Sequence, residues 1–112
     1  MEKITARTIT DFLANAFAQK KMVSKEKLLD AAMKLSVLAL DEVATLTQME
    51  QGIAKKKVEM LEAQEKRNVS EIELRIEATD EYRLMRNQKA FCAAIEEMII
   101  TARHSAKLNE FA

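Results

Sequence analysis

The sequence predicts an all-α protein: a long antiparallel helical hairpin with a short N-terminal helix, self-associating through its apolar surface. Three observations carry this. The 112 residues contain no proline and a single glycine, Gly52, so the strongest helix breakers are almost absent. Ala, Leu, Met, Glu, Lys and Gln dominate, the residues that lose least conformational freedom on entering a helix. Apolar residues recur at helical spacing along most of the chain. The length suits one domain, residues 1–112.

The first helix is expected over about residues 8–20. Ile9, Phe12, Leu13, Ala16 and Phe17 fall at i, i+3, i+4, i+7 and i+8, which puts them on one face. Thr8 is placed to cap it, with Asp11 three residues on, and Lys20 and Lys21 suit its C-terminal dipole. So short a helix persists only when docked on something.

Ser24 is the next capping residue, and a second helix runs from Lys25 to about Lys66, roughly 60 Å long. Its first half, Leu28 to Leu46, is apolar on at least two faces, whereas a helix in a simple hairpin needs one apolar stripe. The excess predicts a homo-oligomer, with Leu28, Leu35, Leu38, Val43 and Leu46 as the interface and a dimer as the default closed form. Gly52 marks the point where the pattern thins.

A third helix is expected over about residues 71–109. Ser70 and Glu73 have the spacing of a capping box, and Val69 and Leu74 that of a hydrophobic staple. Thr79 or Asp80 offers a second cap, so a break near Ala78 is an open alternative. Leu84, Phe91, Ile95, Met98 and Ala102, flanked by Cys92, Ile99 and Ala106, alternate spacings of three and four as in coiled-coil packing.

Charge bounds the partners. Eighteen Lys and Arg balance 18 Asp and Glu, so the whole chain is no polycation. Within residues 1–24, Lys3, Arg7, Lys20 and Lys21 exceed Glu2 and Asp11 by two; within 69–112, eight acidic residues exceed six basic ones by two. The chain shows neither a signal-peptide pattern nor an apolar run of roughly 20 residues, so a cytoplasmic protein without membrane contact is expected.

No constellation for catalysis emerges, and the expected protein is not an enzyme, with no small-molecule substrate, cofactor or metal. Cys92 and His104 are the only residues of their kinds and lie more than three helical turns apart. Cys92 reads as a small core hydrophobe and His104 as a surface residue. The consecutive carboxylates Glu96 and Glu97, and Asp80 and Glu81, diverge on a helix and read as solvated faces.

The basic clusters are the candidate nucleic-acid site. Lys55, Lys56 and Lys57 lie on the second helix, with Lys66 and Arg67 at its end; Arg83, Arg86 and Lys89 follow on the next, beside Tyr82. In a hairpin turning near residue 68, positions 55–57 approach 79–83 and form one basic ridge suited to a nucleic-acid backbone. The competing reading is that Glu59, Glu62, Glu65, Asp80 and Glu81 pair with these cations as ordinary helix-surface charges.

From Lys55 to Phe111 the chain resembles the UvsY family of phage recombination mediators. The likeness lies in Val58-Glu59-Met60-Leu61-Glu62-Ala63-Gln64-Glu65-Lys66-Arg67, in Ala78-Thr79-Asp80-Glu81-Tyr82, and in Phe91-Cys92, Ile95 and Glu110-Phe111. It covers about half the chain, with a shorter segment between the helices and a stronger apolar helix over residues 25–46 than that family suggests. The resemblance implies a ring-forming phage accessory protein that binds single-stranded DNA through Lys55, Lys56, Lys57, Lys66 and Arg67, or acts on a recombination or replication protein. The alternative is a small helical interaction module or inhibitor that acts on a host protein without touching nucleic acid.

Overall fold

In a computed structural model the described residues are 4–18, 24–63 and 68–110, and among them four α-helices and no strand occur. In chain order they are α1 (Ala6–Ala18), α2 (Lys25–Ala63), α3 (Val69–Glu77) and α4 (Asp80–Glu110). The long helices α2 and α4 pack against each other as a hairpin, as the composition and periodicity predict. The expected ends of the first two helices, Lys20 with Lys21 and Lys66, lie outside the described residues.

Local chemistry fixes the starts, and twice it corrects the sequence reading. Helix α1 begins at Ala6, and its cap falls three residues before Thr8, the cap expected. Thr5 takes the cap: the Thr8 amide donates to Thr5 Oγ1 at 3.2 Å, and the Thr5 amide donates back to Thr8 Oγ1 at 3.4 Å. This is a reciprocal box with threonine in place of the usual acid at the third helical position. Helix α2 is capped as expected, the Lys27 amide donating to Ser24 Oγ at 3.3 Å.

The Ser70–Glu73 capping box does not form. Asn68 is the cap of α3, its Oδ1 accepting from the Glu71 amide at 3.2 Å. Asparagine caps as well as serine and comes two residues earlier, so the helix gains half a turn. Val69 and Leu74 then fall inside α3 and both are exposed, so the staple is absent too. The Glu71 carboxylate reaches forward to Arg75 at 2.6 Å.

The expected third helix is two. It breaks at Ala78 and Thr79, where the second cap was an open alternative. Thr79 joins the pieces: its hydroxyl donates to the Ile76 carbonyl at 2.6 Å and accepts from the Tyr82 amide at 3.2 Å. One side chain thereby satisfies a carbonyl ending α3 and an amide opening α4.

The contacts fall into two compact units, Met1–Glu42 with Phe91–Ala112, and Val43–Ala90. In the first, Ala6, Ile9 and Leu13 of α1, Leu28, Ala31, Ala32 and Leu35 of α2, and Ile95, Ala102 and Ala106 of α4 form one buried cluster. Alanines at 31, 32, 102 and 106 let the helix backbones approach closely around the larger Leu13, Leu35 and Ile95. Arg7 lies over the Phe91 ring at 4.8 Å, joining α1 to α4 by a cation–π contact.

The buried stripe of α1 is Ala6, Ile9, Thr10, Leu13 and Ala16, so Phe12 of the expected stripe lies outside it and is exposed. Thr10 is buried with its hydroxyl satisfied by the Arg7 carbonyl at 3.0 Å. In α4, Ile95, Ala102 and Ala106 are the buried seam, Phe91, Met98 and Ile99 pack against it, and Leu84 is exposed. The second unit has a smaller core of Ile53, Ile72 and Ile76, flanked by Met60, Leu61, Tyr82 and Met85.

Two contrasts test this arrangement by urea unfolding. Asn68→Ala removes the cap of α3 and costs about 1 kcal/mol, whereas Ser70→Ala stays within about 0.5 kcal/mol. Leu35→Ala empties a fully buried site and costs about 2–5 kcal/mol, whereas Leu40→Ala, on a side chain 71% exposed, changes stability by less than about 0.5 kcal/mol.

Candidate functional site

Helix α2 presents two apolar faces, and the described residues of the chain cover one of them. At about 100° per residue, Leu28, Ala31, Ala32 and Leu35 share the core face, while Leu29, Met33, Val37 and Leu40 share a face roughly 145° away. The second set is exposed: 40% at Leu29, 68% at Met33, 62% at Val37 and 71% at Leu40. Val43, half exposed, continues the series.

This redistributes the residues assigned to a self-association interface. Leu28 and Leu35 are buried in the chain's own core, and Leu38 packs against that core while remaining partly exposed. Leu46 is half-buried, and of the five only Val43 stands exposed. Helical periodicity identifies two faces without saying which of them α1 and α4 will take. The signal missed was the run Leu29, Met33, Val37 and Leu40, itself a stripe with spacings of four, four and three.

Beside this face lies a shallow apolar groove between α1 and α2. Ile4, Thr8, Ile9 and Phe12 form one wall, and Lys27, Asp30, Ala31 and Lys34 the other; its volume is about 300 Å³. Ile4 and Phe12 are each about half exposed in it. Lys34 and Asp30 are bridged at 2.9 Å along the rim.

The basic clusters lie in the second unit, and the expected approach of positions 55–57 to 79–83 is found there. It brings cations to anions. Lys56 Nζ donates to Glu81 Oε2 at 3.4 Å, Lys57 sits 3.8 Å from Glu73, and Arg83 is 3.6 Å from Asp80. Lys55 and Arg86 are exposed and form no ion pair with a described residue, while Lys66 and Arg67 lie outside the described residues. The paired side chains are exposed or half-exposed, so the pairs add little stability. Their effect is to spread alternating charge where the sequence suggested a continuous basic ridge.

Glu81 registers this arrangement. The backbone hydrogen bond at its own amide, then the hydrogen bond and charge of Lys56, hold its carboxyl below the ordinary glutamate value. Below the Lys56–Glu81 pair, Met49, Gly52, Ile53 and Leu84 line an apolar notch of about 250 Å³. A Cβ at Gly52 would meet nothing within 4 Å, so the missing side chain leaves open space and serves no close packing.

At the α3–α4 joint, Glu77, Thr79, Asp80, Tyr82, Arg83, Arg86 and Asn87 line a polar cleft of about 580 Å³. Cys92 is a half-buried free thiol and His104 is exposed. Among the described residues no group of three His, Cys, Asp or Glu side chains is placed to hold a metal ion, and no helix is long and apolar enough to cross a membrane.

The depressed carboxyl gives a pH signature of known sign. Because the folded value lies below the ordinary one, the favourable interaction is complete above the ordinary glutamate value and is lost as pH falls through the folded value. An NMR titration of the Glu81 side chain should therefore have a midpoint below that of a free glutamate. Lys56→Gln should raise that midpoint part of the way back, since the backbone hydrogen bond remains; an unmoved midpoint would show that Lys56 does not face Glu81.

In comparisons with protein-family models, with curated proteins and with solved structures, nothing matches this chain.

Proposed function

We propose that this protein is a non-enzymatic helical docking module that binds other protein chains through the outward face of α2. The observation that supports it is the exposed stripe Leu29, Met33, Val37 and Leu40 on the side of the helix turned away from its core. Apolar side chains scattered singly over a surface mean nothing, but a contiguous stripe on a soluble monomer is unusual and marks an interaction site. Such a stripe recognises an amphipathic helix by laying apolar residues of both partners side by side, the mode of helix-in-groove and coiled-coil contacts. This is the interaction-module reading of the sequence, with the cytoplasm as its compartment and a host or phage protein among the candidate partners.

A second reading draws on the cleft at the α3–α4 joint, where Tyr82, Arg83, Arg86 and Asn87 come together. An aromatic ring beside two guanidinium groups suits a single-stranded nucleic-acid segment, with stacking on the ring and phosphates at the arginines. Under this reading the protein is a phage-type accessory factor that binds single-stranded DNA or a recombination or replication protein, as the resemblance to UvsY implies. The pairing of Lys56, Lys57 and Arg83 with carboxylates weighs against it, because each phosphate contact must displace an acid.

The two readings separate on salt. Binding of a labelled single-stranded oligonucleotide should be absent or feeble at about 50 mM salt, whereas phosphate-driven binding would be plain there and fall steeply by about 200 mM. Tight binding at low salt that Arg83→Gln with Arg86→Gln abolishes would replace the docking reading with the nucleic-acid one. In cells, in-situ cross-linking should join the wild-type chain to other polypeptides, and Val37→Glu with Leu40→Glu should remove those adducts. Adducts unchanged in the double variant would show that the α2 face is not the docking surface.

A further inference from the structure

The charge pattern beside the exposed stripe identifies what covers it. Between Lys25 and Glu42 the cations Lys25, Lys27 and Lys34 all lie in the first part, with Glu26 and Asp30 among them, and Asp41 and Glu42 close the stretch. Lys34 and Asp41 share one flank of the stripe: at about 100° per residue they lie within roughly 20° of each other, next to Val37. Two helices of this kind laid parallel about a two-fold axis would put this flank of the two copies on opposite sides of the seam, where Lys34 and Asp41 do not meet. Laid antiparallel about Val37, they bring Lys34 of each copy within one residue's rise, about 1.5 Å, of Asp41 of the other, twice by symmetry, and Met33 as near to Leu40.

We propose that the outward face of α2 pairs with the same face of a second copy of this chain, antiparallel and centred on Val37, as a two-fold symmetric dimer. It rests on the reading of that face as a docking surface and names its occupant. Symmetry requires a surface to complement itself across a two-fold axis, and an apolar centre flanked by a lysine at one end and an aspartate at the other does so. The same flank then faces itself across the axis, so register and direction are set by charge while the apolar residues supply the affinity. Asp30, bridged to Lys34 at 2.9 Å with both side chains more than half exposed, does not prevent this. An exposed pair of that kind is worth little, and Lys34 can share its charge between two carboxylates.

The seam from Leu29 to Leu40 is about three turns long. Ile4 and Phe12 stand across the groove whose rim carries Asp30 and Lys34, and they extend the apolar surface on the flank where the second copy lies. The contact is of modest size, so the dimer should form and dissociate with concentration.

Sedimentation equilibrium across the micromolar to hundreds-of-micromolar range should show mass rising from the 12.7 kDa of one chain to twice that. Val37→Glu should hold the chain at the monomer mass with unchanged helicity, because the residue is exposed and its loss does not touch the core. Lys34→Glu and Asp41→Lys should each weaken the dimer at least several-fold, and the two together should restore it, since the exchange returns opposite charges to both pairs.

Direction is read by disulfide formation with Cys92 replaced by Ala. Val37→Cys should cross-link to itself, whereas Met33→Cys and Leu40→Cys should each fail alone and cross-link when mixed. In the antiparallel pair two copies of position 33 are offset by about 12 Å along the axis, beyond the 4.4–6.8 Å between Cα atoms that a disulfide spans. Self-cross-linking of Met33→Cys as efficient as that of Val37→Cys would overturn the antiparallel pairing, as would failure of the charge exchange to rescue. A monomer mass at every concentration would overturn the dimer itself. If intracellular adducts that depend on Val37 and Leu40 persisted in that case, the docking reading would stand with a different occupant.

Discussion

The structure depends on how one helix disposes of two apolar faces. The core face of α2, Leu28, Ala31, Ala32 and Leu35, follows the i, i+3, i+4, i+7 spacing and takes contacts from α1 and α4 at once. Complete burial of a leucine or isoleucine side chain is worth about 1.5–3 kcal/mol, and Leu13, Leu35 and Ile95 are buried essentially completely here. That packing is what holds α1, whose 13 residues are too few for a lasting helix in water. The buried positions are small where helices cross and large where they leave space, so the face that is covered is covered well. The other face keeps four large side chains exposed, and no described element covers it.

The second unit is built on different physics. Three isoleucines form its buried centre, and around them charge alternates: Lys56 with Glu81, Lys57 with Glu73, Arg75 with Glu71, Arg83 with Asp80. In these exposed positions the pairs contribute little to stability and a good deal to surface character. They convert what sequence inspection reads as a basic tract into a mosaic of alternating charge. In the cleft at the α3–α4 joint, Arg83 and Arg86 stand beside the Tyr82 ring, with Glu77 and Asp80 in the same lining.

Thr79 shows how little is needed to reshape such a chain. Nothing in the composition of residues 69–110 forbids one uninterrupted helix, and the propensities of Leu74, Arg75, Ile76 and Glu77 favour it. A single hydroxyl that satisfies the end of α3 and the start of α4 makes the break cheap. The break lets Ile72 and Ile76 on α3, and Tyr82 and Met85 on α4, converge on Ile53 of α2.

The sequence by itself determined the class of fold, the number of long helices and their pairing, because helix propensity and periodicity are local properties that survive any tertiary context this chain can adopt. It also determined that α2 carries more apolar surface than a hairpin buries, and that residues 55–57 meet the start of α4. Which residues begin the helices was legible only in part: Ser24 was plain, but Thr5 and Asn68 were hidden behind equally good caps at Thr8 and Ser70, and choosing among adjacent caps is a matter of a few tenths of a kcal/mol. The tertiary structure alone decided which face of α2 turned inward. Both faces have helical spacing, and the one turned inward is the one that packs on Ala102 and Ala106 of α4 and on the Ala6, Ile9 and Leu13 stripe of α1. It decided likewise that the lysines of α2 stand opposite glutamates, since whether two charged helix faces meet in register depends on the rotation of each helix, which packing of the core sets and no run of residues records.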